Sequence, residues 1–156
     1  ESIDFVQTQA YNMIKLKGRG NTPRVKRRYS MKNPNDMNDR SFLYGRLIHL
    51  LGLYEKEARD AIGSKGATYI DMHIQGMSAK PYITTKLCME YLFARTSFGR
   101  IMRSKKPEVH SKLMGIINDV LATIDELYGD NNEPLYYAAV FGEFWQMGEL
   151  ENEKNN

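Results

Sequence analysis

The feature that most constrains the fold is an amphipathic segment over residues 37–62. Its apolar side chains recur at steps of three and four residues, which places them along one face of a helix. This stripe consists of Leu43, Leu47, Leu50, Leu51, Tyr54, Ala58 and Ile62. We expect Asn38 or Asp39 to cap the start of the helix and Gly63 to end it in a left-handed turn. The pattern predicts a long core helix, and no residue on it has a catalytic setting.

Four more segments have helical character. They are residues 2–17, 79–102, 107–128 and 135–150. The predicted buried stripe of the second of these consists of Ile83, Leu87, Tyr91, Ala94 and Phe98. We expect Ser78 to be its N-cap and Pro81 to lie in its first turn, where the missing amide costs nothing. Residues 64–78 fit either a short helix or an irregular crossing. Gly129 is expected to end the predicted helix at 107–128.

Chain length and residue usage favour one compact domain. The chain has 156 residues, of which 42% are hydrophobic, and this is enough to bury a core. Glycine and proline are sparse and fall mostly between the periodic segments, so helix is favoured over strand. We therefore predict an all-α, single-domain bundle of about five helices over residues 1–156. Within it, we expect a basic loop at 18–36 and a disordered tail at 151–156.

The cysteine content favours a cytoplasmic setting. Cys88 is the only cysteine, so the chain has no internal disulfide, and we interpret this thiol as a small buried hydrophobe. No apolar run approaches the roughly 20 residues of a membrane span, and the N-terminus lacks the apolar region of a signal peptide. We therefore expect no membrane association. The first residue, Glu1, fits a trimmed chain or part of a longer polypeptide.

Charge is distributed unevenly along the chain. Residues 1–36 carry eight Lys or Arg against three Asp or Glu, and residues 37–118 carry thirteen against seven. Residues 119–156 carry one against nine. Such asymmetry is expected where one region meets a polyanion while another faces solvent or a basic partner.

Two basic clusters are candidates for nucleic-acid contact. The first consists of Lys15, Lys17, Arg19, Arg24, Lys26, Arg27 and Arg28, followed by Lys32. Cations on a flexible loop can follow a phosphate backbone and release its counterions, although a merely solvated loop has the same composition. The second cluster consists of Arg95, Arg100, Arg103, Lys105 and Lys106, which also suit the negative end of a helix dipole. Tyr29, Tyr69 and Tyr82 are candidates for stacking on bases or for ordinary core and rim positions.

The sequence has no recognisable arrangement of catalytic or metal-binding residues. His49, His73 and His110 lack a second His or Cys at ligand spacing, and a tetrahedral site needs four ligands. Gly18-Arg19-Gly20 follows a predicted helix and precedes proline, so we interpret it as a flexible turn rather than a phosphate loop. We interpret the carboxylates as solvated groups on polar helix faces: Glu55, Glu57, Asp60, Asp125, Glu126 and Glu143. We therefore predict no enzyme activity, no cofactor and no metal.

Three motifs, in order and spacing, resemble a known family. The first, SMKNPNDMNDRSFLYGRLIHLLGLYEKEA, contains Asn33, Tyr44, Gly45, Arg46, Leu47, Glu55 and Ala58. The second is Ala67-Thr68 followed by Ser78, Ala79 and Pro81, and the third is FGEFWQ over residues 141–146. Together they span roughly residues 25–147 and resemble the C-terminal part of the large subunit of type I-C CRISPR Cascade. In that family this region is also made separately as the Cascade small subunit.

The resemblance implies a function and partners. It implies a non-enzymatic helical bundle that contacts the large subunit, the repeated backbone subunit, crRNA and target DNA. It also implies more than one copy per complex and a role in holding a strand of the R-loop. In view of this resemblance, we expect Gly45 to permit the close approach of a neighbouring element. We expect Arg46 to contact a phosphate or a subunit.

Two other classes of protein remain alternatives. One is a sequence-specific DNA-binding regulator with a helix-turn-helix, which needs a short helix pair and a polar recognition helix. The long apolar helices argue against it. The other is a structural adaptor bundle whose basic loop docks on an acidic protein and binds no nucleic acid.

Overall fold

The computed structural model describes residues 37–136 and 138–155, and over these ranges the chain is all-α, as predicted. The predicted helix at 2–17 and the basic loop at 18–36 lie outside the described residues. Within them we number seven α-helices and one π-turn. They are α1 (Arg40–Ala61), α2 (Tyr69–Met72), α3 (Ile74–Ala79), α4 (Pro81–Glu90), the π-turn (Tyr91–Arg95), α5 (Phe98–Lys105), α6 (Pro107–Tyr128) and α7 (Ala138–Lys154).

The chain divides into two compact units. Among the described residues, the first consists of 37–46 with 135–136 and 138–155, and the second of Leu47–Pro134. The boundary falls inside α1, which contributes its first turns to one unit and the rest to the other. The single domain predicted from the sequence stays a prediction.

The central helix α1 forms where the sequence predicts it. Asp39, rather than Asn38, caps its start, since its Oδ1 accepts the Phe42 amide at 3.0 Å. At the other end the Ser64 amide donates to the Arg59 carbonyl at 2.9 Å, and Gly63 has φ +68°, which is a Schellman ending. The stripe is buried as predicted at all positions but one: Leu43, Leu47, Leu50, Leu51, Tyr54 and Ala58. Ile62 lies beyond the helix end and is 49% exposed, so its predicted burial is wrong.

In the first unit, α1 and α7 approach backbone to backbone. A Cβ atom on Gly45 would lie 2.9 Å from Ala139 Cα and closer still to the Ala139 carbonyl. Gly142 makes the reciprocal approach, because its Cβ would overlap the Phe42 carbonyl. The expectation that Gly45 permits close approach is confirmed. Around this contact Phe42 packs against partly buried apolar side chains, namely Met37, Val140, Phe144 and Trp145.

Helix α7 extends further than predicted. It continues to Lys154, four residues into the segment 151–156 that we expected to be a disordered tail. Leu150 is buried, and Lys154 lies 3.7 Å from Glu151 as an i,i+3 ion pair on the last turn. No glycine or proline interrupts these residues, so the helix has no local reason to stop at residue 150.

In the second unit, a buried carboxylate joins α1 to α2. Glu55 has no exposed surface, so its interpretation as a solvated group is wrong. Its two oxygens accept the amides of Tyr69 at 2.7 Å and Ile70 at 2.9 Å, and Arg59 Nε donates to it at 2.6 Å. The carboxylate therefore satisfies the unpaired amides at the start of α2, alongside the Thr68 hydroxyl, which accepts from the Asp71 amide.

The predicted helix over 79–102 is broken. It consists of α4, the π-turn, a bend at Thr96-Ser97 and α5. Thr96 Oγ1 donates to the Leu92 carbonyl at 2.8 Å and accepts the Phe98 amide at 3.2 Å, which holds the bend. The predicted N-cap Ser78 lies inside α3 instead, and Lys80 precedes α4. Pro81 does occupy the first turn of α4, as expected.

The predicted stripe of this segment is also wrong at three of its five positions, because Ile83, Leu87 and Ala94 are exposed. Ile83 and Leu87 are 59% and 41% exposed. The buried positions on α4 and the π-turn are Pro81, Thr85, Cys88 and Leu92. The face that packs is set by α3, whose Gly76 carbonyl accepts from Thr84 Oγ1 at 3.0 Å.

The remaining elements agree more closely with the sequence. Residues 64–78 hold two short helices, α2 and α3, rather than one. Helix α6 has the predicted bounds, and Gly129 ends it with φ +55°. Its buried face consists of Leu113, Ile117, Val120 and Ile124.

Candidate nucleic-acid interface

Five of the thirteen residues predicted to bind nucleic acid lie in the described part of the chain. The other eight lie outside it: Lys15, Lys17, Arg19, Arg24, Lys26, Arg27, Arg28 and Lys32. Of the five, Arg46 belongs to the first unit. The remaining four belong to the second unit and lie on α5 or directly after it: Arg100, Arg103, Lys105 and Lys106.

Arg46 has contacts within its own unit. Its Nε donates to Gln146 Oε1 at 2.9 Å, and Gln146 is almost completely buried. Its guanidinium carbon lies 4.5 Å from the centroid of the Trp145 ring, which is a cation–π distance. These contacts tie α1 to α7, so the structure gives Arg46 a packing role. The contact with a phosphate or a subunit stays a prediction.

Three cations of the second cluster also have protein partners. Lys106 Nζ lies 2.6 Å from Glu57 Oε2, and Lys105 Nζ donates to the Ala61 carbonyl at 3.2 Å. Arg95 pairs with Glu90 at 3.2 Å on an exposed surface, where such a pair contributes little. These three side chains are directed at least in part toward groups of their own unit.

Arg100 and Arg103 differ from the others. Neither guanidinium makes a hydrogen bond or ion pair with any of the described residues, and both side chains are exposed. Both line one open pocket of about 360 Å³, together with Phe93, Thr96, Ser97 and Gly99. No carboxylate lines the pocket. The arrangement is a concave, positively charged surface with hydroxyl groups and one aromatic ring.

The break in the predicted helix builds this pocket. The π-turn carries Phe93, the bend carries Thr96 and Ser97, and α5 carries the two arginines, Arg100 in its first turn and Arg103 in its last. Gly99 and Arg103 are one turn apart, and a Cβ on Gly99 would lie 3.4 Å from the Arg103 guanidinium. The Arg103 guanidinium therefore lies along the helix surface beside Gly99, at the pocket wall.

Sequence reasoning identified the two arginines but not the other lining residues. Phe93, Thr96 and Ser97 fell inside a segment predicted to be one continuous helix, where they would point in different directions. The signal available was the run of small polar residues at 96–97 between two basic positions, because such residues favour bends and caps over helix interiors.

Two polar side chains support the pocket from beneath. Tyr54, which is fully buried, packs edge-on against the Phe93 ring at 5.1 Å between centroids. Tyr54 Oη and His110 Nδ1 share a hydrogen bond of 2.8 Å. Burial lowers the pKa of His110, and the positive charge of Arg103 lowers this pKa further. Burial raises the pKa of Tyr54. The pair is therefore neutral near pH 7.

The tyrosines proposed to stack on bases have different settings. The Tyr69 ring stacks on Tyr91 at 3.8 Å and on His73 at 4.0 Å. Since two rings at these distances occupy both of its faces, Tyr69 has no face left for a base. Tyr82 lies 5.3 Å from Lys86 Nζ on α4, away from the pocket lining. Tyr29 lies outside the described residues.

Other chemical groups of the described chain do not form a second site. Cys88 is buried, as predicted, and burial raises the pKa of its thiol to about 11. Among the described residues there is no group of three or more His, Cys, Asp or Glu side chains that could hold a metal ion. Among the helices of residues 37–136 and 138–155, none combines the length and the hydropathy of a membrane span.

The fold and the pocket together define an all-α protein with an arginine-lined surface pocket. No protein-family model, no curated protein and no solved structure matches the sequence.

Proposed function

We propose that the chain is a non-enzymatic component that binds nucleic-acid backbone in a type I CRISPR RNA-guided complex, of the small-subunit type. The observation that carries the binding function is the pocket at the start of α5, where Arg100 and Arg103 have no described protein partner and no carboxylate faces them. Arginine is suited to this role, since its planar guanidinium donates to two phosphate oxygens at once.

The charge distribution supports a contact with backbone rather than with base edges. Residues 1–36 have eight cations against three acids, and the pocket adds two arginines in a second region of the chain. Contacts to phosphate position a protein on nucleic acid without reading its sequence. In RNA-guided complexes base pairing reads the sequence, so accessory subunits need only hold the backbone.

The membership in a CRISPR complex rests on the resemblance in the sequence. Its first motif includes Gly45, whose absent side chain permits the contact with α7, and Arg46, which joins α1 to α7 through Gln146. These contacts give a physical reason for two residues of the motif. In this proposal the partners are the large subunit, the backbone subunit, crRNA and target DNA, and the chain bridges backbone subunits and stabilises the R-loop.

The binding function is tested by salt dependence. The purified chain is titrated against labelled single-stranded and double-stranded DNA of unrelated sequences, in a series of salt concentrations. We expect binding without sequence preference, and a log–log salt slope of about 0.9 per phosphate contact for the duplex. Replacing Arg24, Lys26, Arg27 and Arg28 with glutamine should weaken binding and flatten this slope.

The same titration separates the alternatives. Tight binding to a single duplex sequence would favour the helix-turn-helix regulator. The described structure gives it little support, because α4, which follows the short helix α3, exposes the apolar Ile83 and Leu87. No binding to any nucleic acid, with capture of an acidic protein that survives nuclease treatment, would favour the adaptor and refute the proposal.

Assembly is tested separately. The chain is expressed with the subunits and crRNA of a type I-C complex, and the purified complex is analysed by native mass spectrometry. We expect the chain to co-purify in more than one copy. A complex that forms completely without it would refute the CRISPR assignment and leave nucleic-acid binding to be judged by the salt series.

A further inference from the structure

The pocket at the start of α5 has features beyond positive charge. From them we infer that it is a nucleotide subsite for single-stranded nucleic acid, in which Arg100 and Arg103 hold one phosphate and Phe93 stacks on the adjacent base. This inference rests on the proposed function, because it assigns part of the nucleic-acid contact to one pocket and one form of the ligand.

The phosphate half of the subsite follows from the unpaired donors. Arg100 and Arg103 are three residues apart on α5, so their side chains leave the same face of the helix. Ser97 precedes the helix, and its hydroxyl makes no capping hydrogen bond. Two guanidinium groups and a hydroxyl on one wall provide donors for the unesterified oxygens of a phosphodiester.

The base half follows from the volume and from Phe93. The pocket volume of about 360 Å³ lies near the lower end of the roughly 300–1,000 Å³ of small-molecule sites. It therefore has room for a ring beside the phosphate. Phe93 lines the pocket and is only half-buried, so part of its surface is open to a ligand.

Phe93 is also fixed in place before any ligand arrives. The Tyr54 ring holds it edge-on at 67° between ring planes, and Tyr54 is itself held by its hydrogen bond to His110. A fixed aromatic ring loses little conformational entropy when it stacks on a base.

A paired base has no free face inside a duplex, since both faces stack on neighbouring bases. A ring inserted beside Phe93 therefore has to come from a single strand or a free nucleotide. Lys105 at the end of α5 favours the single strand, because it donates to a neutral carbonyl and so adds its positive charge along a continuing backbone.

The test compares four proteins and three ligands. The proteins are the wild-type chain, the double variant Arg100→Gln/Arg103→Gln, the variant Phe93→Leu and a control, Lys56→Gln/Lys65→Gln. The control removes the same charge at two exposed lysines outside the pocket. The ligands are a twelve-nucleotide oligothymidylate, the same strand with abasic residues throughout, and thymidine monophosphate. Far-UV circular dichroism and urea unfolding establish that each variant is folded.

We expect the arginine variant and the Phe93 variant to affect binding differently, because one changes the phosphate half of the subsite and the other the base half. The arginine variant should bind both strands about tenfold more weakly, with a salt slope lower by about 0.7, since the two arginines hold one phosphate and each phosphate neutralised on a single strand contributes about 0.7. The Phe93→Leu variant should weaken binding of the thymidylate strand about tenfold, as loss of one base–aromatic stack predicts, and leave the abasic strand unchanged. The lysine control should bind within about twofold of wild type.

Three outcomes would overturn the inference. If the wild-type chain binds strands and the arginine variant matches the lysine control, the pocket is not the site, although the proposed function stands. If Phe93→Leu weakens both strands equally, the ring does not stack on a base. If only thymidine monophosphate depends on the pocket, its ligand is a free nucleotide. If no strand binds the wild-type chain at all, the proposed function itself fails.

The stacking contact can also be tested on the wild-type chain, without any substitution. An oligothymidylate carrying one 5-iododeoxyuridine is irradiated in complex with the protein, and the adduct is located by peptide mass spectrometry. We expect the adduct on Phe93. Adducts confined to residues outside the pocket lining would contradict the stacking contact.

Discussion

Replacing Gly45 by alanine tests how closely α1 and α7 approach. Alanine is a better helix former than glycine, so in an open helix this substitution stabilises by about 1 kcal/mol. At Gly45 the new methyl group would instead fall within bonding range of the Ala139 carbonyl and 2.9 Å from its Cα. These are backbone atoms, which cannot rotate away as the end of a flexible side chain can.

The magnitude follows from what the helices must do to accept the methyl group. Ordinary contact with a Cβ begins at 3.4 Å, so α1 and α7 would have to separate by more than about 1 Å near this point. That movement loosens the packing of Phe42 against Trp145, whose ring centroids are 5.9 Å apart. The destabilisation from overpacking exceeds the stabilisation from the higher helix propensity of alanine. We therefore expect the free energy of unfolding to fall by about 2–4 kcal/mol.

The chain contains a matched control and a local probe. Gly115 is an exposed helical glycine with no atom within 4 Å of its missing Cβ, so Gly115→Ala should stabilise by about 0.5–1 kcal/mol. Trp145 is the only tryptophan, and its fluorescence reports on the unit that contains Gly45. Urea unfolding is followed by this fluorescence and by circular dichroism. If Gly45→Ala unfolds at the same or higher urea concentration than wild type, the backbone contact is refuted.

Three further predictions concern stability and reactivity. Glu55→Gln should destabilise by about 2–4 kcal/mol in urea unfolding, because an amide has one acceptor oxygen for the two amides that the carboxylate now satisfies. Glu57→Gln, which loses only a half-exposed ion pair, is its control, and equal effects of the two would contradict the buried role. The pKa values of His49 and His110 are lowered in the folded protein, so the unfolded chain binds protons first. The free energy of unfolding should therefore fall as pH drops below about 6.5, by at most about 1.4 kcal/mol per pH unit per histidine. A double glutamine variant of the two should flatten this fall, and an unchanged slope would argue against the histidines. Cys88 should react with a thiol reagent at pH 8 only after urea unfolds the chain, since its pKa is about 11, and rapid labelling of the native protein would show that the thiol is accessible.

The parts of the fold that the sequence predicted well depend on local patterns. The stripe of α1, its Asp39 cap and its Gly63 ending are all encoded within a few residues of where they act. The same holds for α6 and Gly129. The periodic stripe identified positions that are buried, although the first turns of α1 are buried on every side, from Arg40 to Tyr44.

The parts that it missed depend on neighbours distant in the sequence. The segment from Pro81 to Phe98 offers two apolar faces, and the buried one contains Cys88 and Leu92, while α3 contacts α4 through the Thr84 hydroxyl and the Gly76 carbonyl. In the sequence, Glu55 resembles any surface carboxylate. Its burial depends on the amides of Tyr69 and Ile70, which lie 14 and 15 residues further along the chain. The candidate site also depends on how separate segments are brought together. Sequence identified Arg100 and Arg103 as cations, but only the bend after the π-turn brings them to one pocket with Phe93.

The burial of Glu55 has a consequence for how the second unit folds. A carboxylate is costly to remove from water without its donors, and two of the three donors to Glu55 are amides at the start of α2, so α1 alone, with only Arg59, leaves the buried oxygens incompletely satisfied. The start of α2 in turn lacks partners for its amides without Glu55. Each element is therefore unstable in the absence of the other, and partly folded states that contain only one of them are penalised. The carboxylate makes the two segments form and unfold together, as a single cooperative step rather than in sequence.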